Sequence, residues 1–308
     1  MRLRSTVSRM VALMTAQFDP FEGITDEAAP SPASARRALL DSAKRGYVPL
    51  RKTFVQRPSG SEPQDGRPSP RASVLYDLVH TRKHRALDLL LLLHALHPVL
   101  EGTPLPLATW ANILGTNATG VTRAIETLAE AKLVVREDDS RSPVLTLLRE
   151  DGSGAAWHRP GAEDEEGPGY FVIPHTYWTM LHADELSLPG KAMLLIMLAE
   201  TQNPRTPSFS MAVERAQDWY GISERTAERG YGELNKAGVL LVKVQRVADP
   251  RHPVGRRDVY HRALGSPFDT MSRARLQRSA VKAARKAGTS TADLTAVPDA
   301  AAQEPAQP

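Results

Sequence analysis

Apolar side chains recur at helical spacing in two separate stretches of this chain, and both stretches predict the same order of elements. In the first, the pattern predicts helices over 73–80, 85–96, 107–114 and 117–131, then short strands at 133–135 and 144–148. Pro98 and Gly102 are expected to end the strongly apolar second helix. In the second stretch an extended segment at 170–173 precedes helices over 176–182 and 189–201, the latter opening on Pro189, which suits a first helical turn. A strand at 209–211, helices over 212–220 and 223–237, and strands at 239–247 and 257–263 complete it. The prediction is a mainly α fold with small β-hairpins, built from two tandem copies of one unit.

The copies superpose at an offset of 106 residues, without a gap over some twenty positions. Gly115 falls on Gly221, Asn117 on Ser223, Arg123 on Arg229, Leu128 on Leu234, Ala131 on Ala237 and Leu133 on Val239. Few pairs are identical, but each shares a physical role. The glycines supply the positive φ of a tight turn, and Asn117 and Ser223 are N-cap residues. Ala227, Tyr231 and Leu234, at i, i+4 and i+7, are expected to face the core, turning Ser223, Glu224, Arg225, Glu228 and Arg229 outward. In the first copy Val121, Ile125 and Leu128 face inward, leaving Ala118, Thr119, Thr122, Arg123 and Glu126 outside.

The flanking and joining segments have a different chemistry. Residues 1–70 mix Ala, Ser and Pro with scattered Arg, and 58–70 reads PSGSEPQDGRPSP, so a disordered, flexible N-terminal arm is expected. Within it, 34–44 has the composition of a short helix, and Tyr47, Val48, Pro49 and Leu50 with Phe54 and Val55 are expected to dock as an extended segment on a neighbour. Residues 150–169, with Gly, Pro and the acidic run Glu163 to Glu166, are expected to be a linker that buries little. Residues 272–287 should form a helix with a basic face, and beyond Gly288 the composition predicts a disordered tail. The plan is thus an arm (1–70), a first domain (71–149), a linker (150–169), a second domain (170–265) and a basic helix with a tail (266–308).

Charge changes the picture only locally. The 39 Lys and Arg against 35 Asp and Glu leave a net charge of +4, so a basic surface requires segregation. Between Lys243 and Lys286 lie 12 Lys and Arg against Asp249, Asp258 and Asp269, a local charge of +9. Lys243, Arg246, Arg251, Arg256 and Arg257 gather with His252 around Pro250, Pro253 and Gly255 at an expected hairpin tip, which suits contact with phosphates. The first hairpin, with Arg136, Glu137, Asp138, Asp139 and Arg141, lacks that bias, so dimerisation or docking is the first unit's other role.

In each unit the capped helix passes through a short break, Ala131-Lys132 or Ala237-Gly238, into a β-branched strand and a hairpin. With Trp219, Tyr220, Gly221, Ile222, Ser223, Glu224 and Arg225 as turn and helix start, and Lys236, Ala237, Gly238, Val239 and Leu240 as helix end and strand entry, both units resemble the winged helix-turn-helix superfamily of MarR-like and related bacterial regulators. The resemblance covers about 170 residues and implies two tandem winged helix-turn-helix domains that lay a recognition helix in a DNA major groove. The two-module layout also resembles plasmid replication initiators.

Other chemistry is argued away by residue type and context. With no cysteine, disulfides, thiolate zinc sites, iron–sulfur clusters and cysteine nucleophiles are excluded, and a reducing cytoplasm is expected. Arg9 splits the N-terminal apolar run, and the apolar run 87–96 is half the ~20 residues of a bilayer span, so neither export nor a membrane partner is expected. Asp77, His80 and His84 share a helix face but recruit no further ligand, and Pro189-Gly190-Lys191-Ala192 lacks the earlier glycine and the hydroxyl of a phosphate loop. Trp110, Trp178 and Trp219 are expected as core anchors.

The expectation is a non-catalytic, cytoplasmic, nucleoid-associated protein that binds double-stranded DNA without cofactor or metal, most simply as a transcription regulator. Asn117, Thr119, Thr122, Arg123, Ser223, Glu224, Arg225 and Arg229 are the recognition-helix candidates, and Lys243, Arg246, Arg251, Arg256 and Arg257 the wing candidates. A replication initiator of a plasmid or integrated element, and a scaffold that homodimerises through its first unit and docks a protein on its second, are the alternatives.

Overall fold

The computed structural model describes residues 28–43, 45–56, 73–137, 141–161, 169–180 and 182–286. Helices dominate, joined by small antiparallel sheets. In chain order the elements are α1 (Pro32–Ser42), β1 (Tyr47–Arg51), α2 (Val74–His80), α3 (His84–Leu100), α4 (Leu107–Ile113), α5 (Ala118–Glu130), β2 (Val134–Glu137) and β3 (Val144–Leu147). They continue with β4 (Tyr170–Pro174), α6 (Thr176–Thr179), α7 (His182–Glu185), α8 (Leu188–Glu200), β5 (Ser208–Ser210), α9 (Ala216–Tyr220), α10 (Glu224–Lys236), β6 (Leu240–Ala248), β7 (Arg256–Leu264) and α11 (Thr270–Lys286).

Two helices occupy the centre because they are apolar on every side, and such a helix is stable only when surrounded. In α3, Ala86, Leu87, Leu89 to Leu93, Ala95 and Leu96 are buried; in α8, every residue from Gly190 to Ala199 is. Helix α5 packs on α3, and α10 packs on α8. Where α10 crosses α8, Gly230 lets the backbones approach closely: a Cβ there would lie 2.5 Å from the Pro189 carbonyl oxygen and 2.4 Å from Met193 Cγ. Between the two central helices, Lys191 Nζ reaches Asp88 Oδ1 at 2.5 Å. Burial raises the Asp88 pKa, and the Lys191 ammonium opposes that rise. One continuous apolar core runs through both repeated units.

The repeat is physical as well as sequential. Asn117 Oδ1 accepts from the Gly120 N–H at 2.8 Å, and Ser223 Oγ accepts from the Thr226 N–H at 3.3 Å, the same cap 106 residues on. Gly115 and Gly221 take φ of +60° and +68°. The buried faces, Val121, Ala124, Ile125 and Leu128 against Ala227, Gly230, Tyr231 and Leu234, keep the same register. Both helices also end alike. The Leu133 N–H reaches the Leu128 carbonyl and the Val239 N–H the Leu234 carbonyl, each at 2.9 Å, around left-handed Lys132 and Gly238.

A strand from outside the repeat binds the two units. β1 pairs antiparallel with β4, from Tyr47↔Pro174 to Arg51↔Tyr170, and all five of its residues are buried. The docking expected of this segment is observed. Val48, Leu50 and Phe54 are fully enclosed, and each such side chain contributes about 1.5–3 kcal/mol of apolar burial. Arg51 and Glu150 form a buried pair: Glu150 accepts from the Arg51 backbone N–H at 2.7 Å and from Nη1 at 2.9 Å, while Nη2 donates to the His158 carbonyl at 2.9 Å. From α1, Arg36 donates to the Ile113 carbonyl at 2.7 Å, closing the end of α4, and pairs with Asp184. Residues Ser31–Pro308 accordingly cluster as one compact unit.

Several elements depart from the expected pattern. Helix α3 does not end at Pro98 but runs on to Leu100, closed by the Glu101 N–H on the His97 carbonyl at 3.0 Å. The helix expected over 176–182 is two short ones, and that over 212–220 opens with a 3-10 turn, Val213–Arg215. The stretch after Leu148 was expected to bury little. Instead Glu150 is fully buried, and Trp157 packs its ring on His94 and His97, because Arg51 supplies a counter-charge that sequence order does not reveal. Trp110 and Trp178 are buried and Trp219 is half-buried, as core anchors should be. The arm before residue 28, the run 58–70, Glu163 to Glu166 and the tail beyond Gly288 lie outside the described residues. No helix among the described residues is long and apolar enough to cross a membrane.

Two stability predictions follow from this packing. Gly230→Ala puts a methyl group against a backbone carbonyl that cannot swing away, so urea unfolding should show a loss of about 1–3 kcal/mol despite alanine's better helix propensity. Burial lowers the pKa of His94 to about 3 and of His175 to about 4, whereas an unfolded histidine takes up its proton near pH 6.5. The stabilisation is therefore present above pH 6.5 and lost as pH falls through that window, at roughly 1 kcal/mol per pH unit for each histidine. His94→Leu should flatten the dependence of unfolding free energy on pH between 6.5 and 5; an unchanged slope would show that His94 does not contribute.

Candidate nucleic-acid interface

The hairpin of the second unit leaves the body as a ribbon. β6 and β7 pair over nine residues each, from Leu240↔Leu264 to Ala248↔Arg256, and most of β6 and the tip end of β7 are exposed. Alternation along a strand divides the expected cations between two faces, with Lys243 and Arg257 on one and Arg246 and Arg256 on the other. Arg251 stands at the tip, which Asp249 orders by accepting from the Arg251 N–H at 3.0 Å and donating its own N–H to the Gly255 carbonyl at 3.0 Å. Arg246 lies 3.9 Å from Asp258 and Arg257 lies 3.5 Å from Asp249; these are exposed pairs that water and salt weaken.

Two of the 12 cations in this region are internal. Arg262 donates to the Met211 carbonyl at 2.8 Å and lies 4.1 Å over the Tyr231 ring. Arg273 is fully buried, where it donates to the carbonyls of Leu198 and Thr201, to Thr201 Oγ1 and to Gln202 Oε1, closing the end of α8. Burial lowers its pKa to about 10. Neither side chain is available to an external anion. Sequence counts charge and cannot see that a guanidinium has five N–H donors with which to satisfy helix-end carbonyls.

The helix candidates divide in the same way. Thr119, Arg123, Glu224 and Arg225 are exposed on the first turns of α5 and α10. Asn117 and Ser223 are engaged as caps, and the Thr122 hydroxyl donates back to the Ala118 carbonyl at 3.1 Å. Arg229 donates through Nε to Glu233 Oε1 at 3.0 Å, and the same carboxylate accepts the Ser187 N–H at 2.9 Å and the Ser187 hydroxyl at 2.6 Å at the start of α8. Burial opposes ionisation of Glu233, but the hydrogen bonds from Ser187 and Arg229 outweigh it and lower its pKa.

Two grooves flank α10, and their charge differs. The one between α10 and β7, about 530 Å³, carries Glu214, Glu228 and Asp258 with Arg257 and Arg262, beside Tyr231 and Tyr260. The other, about 950 Å³, lies between the repeated units. Its walls bring the turn glycine Gly115 and Arg82, His84 and Arg85 of the first unit opposite Arg225, Thr226 and Arg229 of the second. Arg82 and Arg85 were not candidates on sequence, although Arg82-Lys83-His84-Arg85 is a basic run that charge counting would have found. Of the metal-ligand candidates, His80 stacks on Tyr76 with ring centroids 5.4 Å apart, and the described residues hold no group of three or more ligating side chains.

No family model, no curated protein and no solved structure matches the chain.

Proposed function

We propose that the protein binds double-stranded DNA through two winged helix-turn-helix units and acts as a non-catalytic transcription regulator. The observation that carries this reading is the duplicated unit itself: positive-φ glycine, capped helix, left-handed exit and first hairpin strand recur at one offset with matching hydrogen bonds, between a preceding helix and a returning strand in both copies. A helix presented by such a turn suits the major groove, and a cationic hairpin beside it suits phosphates. In this reading Thr119, Arg123 and Glu224 face base edges, while Lys243, Arg251, Arg256 and Arg257 hold the backbone. Glu224, as a carboxylate, would accept from the cytosine amino group.

A protein-docking role is the second reading, favoured by one observation. The same hairpin exposes Leu241, Val242, Val244, Val254 and Tyr260, apolar surface of a kind that often meets a partner.

Immunoprecipitation of the protein with its bound DNA, sequenced across the source genome, tests the reading. Sharp peaks at promoters are expected; a single repeat-rich peak would make the protein an initiator, and an absence of peaks would favour docking. On the best site, Arg256→Ala with Arg257→Ala should weaken binding to all sequences and reduce its salt dependence. Arg123→Ala or Glu224→Ala should instead change sequence preference, by about 1–3 kcal/mol per lost base contact. Equal loss on every sequence from the helix substitutions would overturn the recognition-helix assignment.

A further inference from the structure

The groove between the units has the features of an anion cleft, and they come from two observations. First, its cations belong to both units: Arg82 and Arg85 on one wall face Arg225 and Arg229 on the other. Second, its own carboxylates are already engaged. Asp88 is held by Lys191 at 2.5 Å, with Arg85 and His84 close enough to favour its charged form, and Asp184 pairs with Arg36. Arg85 donates weakly to the Leu114 carbonyl at 3.5 Å, and Arg229 uses only Nε toward Glu233 among the described residues, leaving further donors on both guanidiniums.

The backbone at Arg82 supplies a way to remove its charge without disturbing the fold. This residue has φ of +56° in the tight turn that ends α2, where the Lys83 N–H reaches the Leu78 carbonyl at 2.8 Å. Glycine adopts that conformation freely and a residue with a Cβ does not, so an arginine there is disfavoured by local energetics. Its exposed guanidinium lines the groove. Lys132 takes the same φ of +56° in the matching turn that ends α5, so the conformation closes a helix without a ligand, and at Arg82 it makes glycine a substitution the turn accepts.

We propose that this cleft binds phosphate groups of a nucleic-acid backbone, so that one DNA strand is gripped by both units at once. The proposal rests on the DNA-binding reading and deepens it. It moves Arg225 from base reading to the backbone, and it places the first unit's turn and the start of the second unit's helix α10 on the same stretch of duplex. Because a free polyphosphate or nucleotide offers the same chemistry, the test separates the two sources.

The experiment uses the full chain, the Arg82→Gly variant and the Arg82→Gly/Arg85→Gln variant, with a mixed-sequence duplex of about 30 base pairs and, separately, with pyrophosphate. Arg82→Gly should melt at or above the wild-type temperature, since glycine relieves the strain. It should still lower the slope of log affinity against log salt by about 1, and the double variant by about 2, as expected for one and two lost phosphate contacts. At low salt the double variant should bind the duplex roughly tenfold more weakly. Unchanged duplex affinity and slope in both variants overturn the cleft while leaving DNA binding intact. If the wild type ignores duplex but binds pyrophosphate, and the double variant does not, the DNA reading falls and the cleft takes a free phosphate ligand. Binding of neither probe by the wild type overturns both.

Discussion

The architecture depends on β1, a strand that has no place in either repeated unit. Buried on all sides, it pairs with β4 and brings Arg51 against Glu150, each charge shielded from water by the pairing that holds it. Losing one partner of such a buried pair leaves an isolated charge in an apolar interior, which typically costs about 3–5 kcal/mol. That penalty ties residues before the first unit, after it and at the start of the second into one arrangement. It follows that the two units share a core and meet at a fixed angle, and the groove between them is a built feature with walls from both.

This fixed relation gives the repeat its functional interest. Two independent modules on a flexible linker would engage any ligand separately, and their combined affinity would be set by linker length. Two units with one core present their exposed helix turns, hairpin and inter-unit arginines in a single geometry. Direct links run between them: Lys191 of α8 to Asp88 of α3, Arg36 of α1 to Asp184, and Tyr76 of α2 against the turn glycine Gly221, where a Cβ would lie 2.3 Å from its ring.

Charge in this molecule has two uses that composition does not separate. Arg262 and Arg273 satisfy carbonyls inside the fold, and Arg51 and Lys191 neutralise buried carboxylates. Lys243, Arg251, Arg256 and the arginines of the groove face outward. The region from 243 to 286 is basic by count, but its cations point to both faces of a ribbon, along a helix and into the core. One cluster of cations is assembled from residues more than 100 positions apart, Arg82 and Arg85 with Arg225 and Arg229.

The sequence by itself determined the local units. Helical spacing, the cap residues Asn117 and Ser223, the glycines at 115 and 221, the buried stripes of α5 and α10 and the docking of Tyr47 to Leu50 were all legible, because each depends on side chains within one or two turns of one another or on a plain run of apolar residues. Tertiary structure decided the rest. Glu150 reads as part of a polar linker until Arg51 is placed beside it, Arg273 reads as a surface cation until α8 ends against it, and the groove exists only once α3 and α8 are packed together. The physical reason is common to all three: the environment of a charge is set by what lies across space from it, and neighbours in the chain do not report that.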